Sequence, residues 1–325
     1  VLLLALPAGS LASPGEAQQP SSLFVPAAGA GSLERGARPA VVRSRAVEVN
    51  VAALQGSGPR RLALNLFEDL VLDALLEGVD ELPGGGRAWR GRIEGVPLGQ
   101  VVLVQRGDDL AGDVFLPSGL YQVRPAGDGL HVVSQVDQSA FPPEMEPVAV
   151  PHSASTAEAP REALPQALID DGSMVDILVV YTPAARLAAG GTAAMLAEVD
   201  LAVAETNASY ANSQVSQRLH LVAALEASYV ESGSLGDPGD LAYLQRSDDP
   251  YLNVVHTWRN TYGADAVVLI VHYSPAPYCG VAYQLAGGIE PYFAAYAFAV
   301  VELDCATGNL SLGHELGHNM GANHD

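Results

Sequence analysis

The segment Gly313–Asp325, GHELGHNMGANHD, constrains this chain more than any other part of it. His314 and His318 are four residues apart, so on an α-helix they project from one face, a turn apart. Two imidazoles so placed reach a single Zn²⁺ at roughly 2.0–2.1 Å per bond. Glu315, beside the first of them, can accept a proton from water in the open position of such an ion. Gly321 follows His318 by three residues. Glycine adopts positive φ there at little cost, which ends the helix and turns the chain so that His324 returns as a third ligand. Three protein ligands leave a fourth position free, the arrangement of a catalytic rather than a structural zinc site. A purely structural helix would instead bury three histidines and a glutamate at a heavy desolvation cost.

The region leading to this segment alternates strands and helices. Val175–Tyr181 is a continuous apolar strand, and Ala193–Asn212 a helix with Met195, Val199, Ala202, Val203, Thr206 and Tyr210 on one face. Strand-like Leu219–Val230, helix Leu252–Tyr262 and strands Ala266–Tyr273 and Ala295–Leu303 follow. Interleaving of this kind predicts an α/β (α+β) domain over 169–325, with a mixed, mostly parallel sheet and an active-site helix.

Residues 13–141 read differently, as a β-rich unit. Short strands at Trp89–Ile93, Gln100–Gln105, Asp113–Leu116, Leu120–Arg124 and Leu130–Gln135 are punctuated by turns such as Gly107-Asp108 and Gly127-Asp128-Gly129. Within it, Leu66, Leu70, Leu72 and Leu76 predict one helix over Leu64–Leu76. His131, His220, His256 and His272 stand singly and read as structural. Residues 142–168, rich in Pro, Ala, Ser and Glu, read as a linker. Proteolytic maturation there and a plain tether are both open. Residues 1–12 read as the remnant of a secretory signal, with apolar VLLLAL followed by Ser10-Leu11-Ala12, and so imply an exported protein.

Composition narrows the partners. The net charge is −21, all basic residues are arginine, and the acid excess is uneven: residues 1–161 hold 12 Arg against 18 Asp and Glu, and residues 162–325 hold 4 Arg against 19. Such a chain is a poor binder of nucleic acid or anionic membrane surfaces, and it has no apolar run long enough to span a bilayer. A monomer acting on peptide or protein is the expectation. The rival is a non-catalytic zinc-containing peptide-binding or adhesion module, which would need no Glu315.

His314-Glu315-x-x-His318-x-x-Gly321-x-x-His324-Asp325 resembles the zinc signature of the metzincin metallopeptidases, in their adamalysin/reprolysin branch. With Cys305–Ser311, Asp176–Pro183, Ala204–Asn212 and Tyr262–Asp265, the chain is similar to the bacterial secreted peptidyl-Asp metalloendopeptidases over about 170–325. The β-rich unit resembles, more weakly, the propeptides that precede such domains. The resemblance implies one catalytic zinc held by His314, His318 and His324, with Glu315 as general base and Asp325 supporting the site from behind. It also implies an extended substrate added to a sheet edge, for which Cys279–Ile289 is the candidate, and a preference for bonds before acidic residues. A Met-containing turn below the metal is expected after Asp325, where the chain reads as cut short; Met320, inside the signature, cannot serve.

Cys279 and Cys305 are the only cysteines. In an exported protein they pair with each other, contributing about 3 kcal/mol if unstrained, or one pairs elsewhere, or both are free. Residues 1–278 contain no cysteine, so none from that region can cap the metal. If the β-rich unit inhibits, it does so by blocking the cleft or by presenting a carboxylate to the metal.

Overall fold

The computed structural model describes residues 21–27, 40–56, 60–150, 172–286 and 291–324. The signal-like start, most of the linker-like stretch and Asp325 lie outside them. Among the described residues no single helix is long and apolar enough to cross a membrane.

The first half is built on strands β1 (Ser21–Ser22), β2 (Phe24–Pro26), β3 (Val41–Val49), β4 (Arg60–Phe67), β5 (Leu70–Leu82), β6 (Gly86–Ile93), β7 (Gln100–Arg106), β8 (Asp109–Leu116), β9 (Gly119–Gly127) and β10 (Leu130–Val136). Sheet order is β1-β4-β5-β6-β7-β8-β9-β10-β3-β2. Since β1 and β2 are consecutive, with only Leu23 between them, Ser21–Pro26 pairs with β4 on one side and β3 on the other. That single stretch closes the sheet into a barrel and leaves no bare edge there. Alternation along β7 sorts the two faces. Val101 and Leu103 fill the barrel with Trp89, Leu64 and Leu66, while Val102 and Val104 point outward.

The helix expected over Leu64–Leu76 is not formed; β4 and β5 pair there as an antiparallel hairpin. The leucines at 66, 70, 72 and 76 share parity as well as helical spacing, and Leu62, Leu64 and Ala74 extend the two-residue period. Burying Leu62, Leu64, Leu66, Ala74 and Leu76 in the barrel decides for strands.

The second half follows the expected α/β alternation: β12 (Met174–Tyr181), α1 (Pro183–Ala189), α2 (Thr192–Asn212), β13 (Arg218–Glu226), α3 (Asp240–Gln245), α4 (Asn253–Tyr262), β14 (Ala266–Val271), β15 (Gly280–Gln284), β16 (Phe298–Glu302), α5 (Leu303–Ala306) and α6 (Ser311–Asn319). Its sheet runs β11-β15-β16-β14-β12-β13, where β11 is Val148–Ala149. The pairs β13–β12, β12–β14 and β14–β16 are parallel, and β15–β16 is antiparallel. Strands β14 and β16 are buried throughout, as a sheet covered on both faces requires.

Strand β15 lies within the Cys279–Ile289 stretch expected to be the substrate's sheet edge, and that edge is covered: Val148 and Ala149 pair with Tyr283 and Gln284 in parallel. Upstream, Cys279 N–H donates to Pro143 O and Met145 N–H to Gly280 O, both at 3.0 Å. Pro143–Ala149 therefore runs along the whole of β15. Backbone pairing needs no side-chain periodicity, so this Pro-rich stretch reads as a linker in sequence.

Helix α2 joins the two halves. Met195, Val199 and Ala202 enter the core of the α/β sheet, while Ala197 and Leu201 pack on Ala88, Val102, Val104 and Ala111 of the barrel. Its acids are buried as well. Glu198 meets barrel residue Arg124 (2.6 Å), and Asp200 accepts from Arg106 (3.1 Å).

Candidate metal centre

Helix α6 is held from three sides. Tyr210 of α2 donates to Gly313 O (2.8 Å), and burial pushes its hydroxyl up to about 12, so it stays a donor. Asn319 Nδ2 reaches Tyr283 O on β15 (2.7 Å) and Phe298 O on β16 (3.3 Å). Leu285 N–H donates to His318 O (3.1 Å) just past β15. A disulfide between Cys279 and Cys305, with Cα atoms 5.4 Å apart, ties the start of β15 to α5. Of the alternatives open in the sequence, mutual pairing is the one present.

On this frame three of the expected residues converge. His314 Nε2 lies 3.0 Å from His318 Nε2 and 3.0 Å from His324 Nε2, and the last two are 3.2 Å apart. Gly321, at φ 99°, supplies the turn that brings His324 back. Ring tautomers follow from the outer nitrogens. His318 Nδ1 lies 3.0 Å from Ala322 O, and His324 Nδ1 lies 3.3 Å from Glu146 Oε1. Each Nδ1 carries the proton, which leaves the Nε2 lone pairs facing inward. Three lone pairs aimed at one point repel unless a cation lies among them. The spacings fit one, since a tetrahedral ion with bonds of about 2.05 Å sets its ligand atoms about 3.3 Å apart. Burial, then His318 and His324, pull the His314 imidazole down to about 4, and burial also lowers His318. Both are neutral near pH 7, as metal ligands must be.

Glu315 is fully buried, no N–H or O–H of the described residues donates to its carboxylate oxygens, and its carboxyl lies against that of Glu144. Burial, then the charge of Glu144, hold its carboxyl well above the usual range. Its neighbour across the cleft is Gly280 on β15, where a Cβ would stand 2.6 Å from Glu315 Oε1. Such a carboxylate beside three convergent imidazoles is the donor set of a zinc site with a base next to it.

Sequence reasoning missed several residues here. Glu144 Oε1 accepts from Ser311 Oγ (2.6 Å) and Asn309 Nδ2 (3.2 Å), at the amino end of α6. Its second oxygen is buried with no partner among the described residues. Glu144 and Glu146 sit in a stretch without periodicity. Asn309-Leu310-Ser311 offered only the signal of a glycosylation sequon. His272, Glu302 and Asp304 also cluster, but their bonds explain them: Glu302 accepts from His272 Nδ1 (3.1 Å) and caps α5 by accepting from Asp304 N (2.6 Å). His131 accepts from Leu110 N–H (3.0 Å) inside the barrel, a structural role.

Known proteins bear on this geometry. Residues 172–325 match the model of the reprolysin-like members of metallopeptidase family M12B. The peptidyl-Asp metalloendopeptidase of Xanthomonas campestris pv. campestris is 35% identical over 308 residues, covering 88% of this chain and 69% of that protein. That of Stenotrophomonas maltophilia strain K279a is 35% identical over 300 residues, covering 86% and 67%. A solved structure, metalloproteinase-II from Bacteroides fragilis, aligns at a TM-score of 0.49 and 10% identity over 85% of this chain and 84% of that one, too loosely to carry an argument.

Proposed function

The chain belongs to the reprolysin-like M12B metallopeptidases and is a metalloendopeptidase, and from that premise we propose that it cuts peptide bonds at His314, His318 and His324 with Glu315 as general base. The observation that carries this is the convergence of three inward-facing Nε2 atoms beside a buried carboxylate to which no N–H or O–H of the described residues donates. When bound, a single zinc ion supplies Lewis acidity, polarising the scissile carbonyl and making water more acidic. Glu315 takes the proton of the attacking water and returns it to the leaving amine. His318 and His324 are kept in the metal-binding tautomer by Ala322 O and Glu146; Asp325, outside the described residues, keeps the supporting role that the resemblance implies.

The substrate lies extended along β15, in the lane that Pro143–Ala149 fills here. It is cut before acidic residues, a reading that the resemblance implies; the two relatives are named peptidyl-Asp metalloendopeptidases. The protein is exported through the signal-like residues 1–12 and acts as a monomer. The β-rich unit, residues 13–141, serves as a propeptide, and cutting within 142–168 precedes its release. Replacing Glu315→Gln should lower kcat by about 10²–10⁴-fold with zinc still bound, measured by peptide cleavage beside metal analysis. His324→Ala should instead release zinc. Full cleavage by Glu315→Gln would remove the base, and unchanged zinc affinity in His324→Ala would remove the three-ligand site.

A further inference from the structure

Glu144 is docked where a substrate side chain would reach from the β15 lane. Its carboxylate receives the Ser311 hydroxyl at 2.6 Å and the Asn309 amide at 3.2 Å, and Asn309 Nδ2 also supports Ser311 Oγ at 3.1 Å. The bond from Ser311 has the length of a charge-assisted O–H···O⁻ contact. Both donors stand at the amino end of α6, a nine-residue helix whose first turn favours negative charge. The backbone on either side of Glu144 is bonded to β15, through Pro143 O and Met145 N–H. Its side chain therefore leaves the lane as a residue of a bound peptide would. Glu315, fully buried, lies against the same carboxylate.

Among the described residues of the second half, each arginine is bonded elsewhere. Arg186 is bonded to Glu226, Arg218 to Val215 O and Gln217 O, Arg246 to Asp248, and Arg259 to Ala264 O and Ala294 O. Among the described residues at the start of α6, the groups that face an acidic side chain are neutral donors and a helix end. We propose that Ser311 and Asn309 form the subsite that selects an acidic substrate side chain, and that Glu144 fills that subsite in the uncut chain as a stand-in for substrate. This rests on the reading of the site as a peptidase whose substrate lies along β15. Glu144 thereby gives the cysteine-free first half its means of blocking the cleft: strand pairing holds the lane, and one carboxylate fills the subsite.

Two measurements on the full-length protein test this. In the first, hydrogen exchange is followed at the Met145 and Cys279 amides of the uncut protein. Ser311→Ala and Glu144→Gln should each speed exchange by about tenfold, the size expected for losing one hydrogen bond to a charged group, and the double variant should add little. Unchanged exchange in both single variants would overturn the docking of Glu144. In the second, the full-length protein is cut within 151–171 and freed of its first half, and kcat/KM is compared for two reporter peptides that differ only by Asp or Asn after the scissile bond. Ser311→Ala, and Asn309→Asp as a variant that adds opposing charge, should lower the Asp/Asn ratio by about tenfold or more. If the wild type prefers Asp and both variants keep that preference, the subsite assignment is wrong while the acidic preference stands. A wild type that cuts both peptides equally would instead overturn the preference, and the assignment with it.

Discussion

At the residue scale, the site depends as much on an absent atom as on the groups present. Glu315 can lie beside the imidazole cluster only because position 280 has no Cβ; one built there would stand 2.6 Å from its Oε1 and 2.7 Å from its Cγ. Strand β15 is fixed on both sides, so Glu315 has to move if the glycine is replaced. Gly280→Ala should therefore lower kcat by at least tenfold, with zinc content near that of the wild type, because the three atoms nearest to that Cβ all belong to Glu315 and none to His314 or His318. Overpacking of this kind typically costs about 1–3 kcal/mol of stability as well. Metal analysis beside steady-state kinetics checks the split; loss of zinc with kcat per bound metal unchanged would contradict it. The spacing of His314, Glu315, His318, Gly321 and His324 made this centre legible in sequence, because helix geometry fixes the relation between such near neighbours. Gly280, Glu144 and Asn309 were not legible. Their roles depend on contacts between segments far apart in the chain, which local spacing does not encode.

At the element scale, β14 and β16 end together, and a histidine–carboxylate pair joins their ends. Glu302 closes β16, caps α5 and accepts from His272 Nδ1 and Tyr273 N–H just beyond β14. The hydrogen bond from His272 to Glu302, opposed by burial, raises the imidazole above its ordinary value. A histidine raised in the folded state adds stability that is fully present below its unfolded value, about 6.5, and is lost as pH rises through the folded value. The stability of wild type over His272→Gln should thus be greater at pH 6 than at pH 9, measured as the difference in urea midpoints. An equal difference at both pH values would mean the pair carries no net charge interaction. Elements of the second half were legible because buried strands such as Ala266–Val271 are continuous apolar runs. The hairpin of β4 and β5 was misread because its leucines satisfy both the strand and the helix periods, and only closure of the barrel decides between them. Helix α2 was only half legible. Met195, Val199, Ala202 and Val203 showed one apolar face, but the second face, with Ala197 and Leu201, exists only because the barrel covers it.

At the scale of the whole molecule, the two halves are locked by buried charge. Arg124, 4% exposed, meets Asp113 (2.6 Å) within the barrel and Glu198 (2.6 Å) and Thr307 (2.7 Å) across the interface. Burial, then the charge of Asp113, push Glu205 beside them well above the usual carboxylate range, and its other oxygen accepts from Gly308 N–H. Thr307 and Gly308 lead directly into Asn309, Ser311 and α6, so the lock on the barrel and the subsite holding Glu144 adjoin. Removing one member of a buried ionic cluster leaves the rest uncompensated and typically costs about 3–5 kcal/mol, more than a surface pair would. Cutting the chain within 151–171 should therefore leave the wild-type halves associated, with the Pro143–Ala149 lane still filled. The same cut in Arg124→Ala should let them separate on gel filtration, and peptide cleavage should rise as they part. Hydrogen-bonded strand pairing along β15 is common to both proteins, so a difference between them isolates the buried lock. Wild-type halves that separate at once on cutting would show that chain connectivity, and not Arg124, keeps the barrel in place.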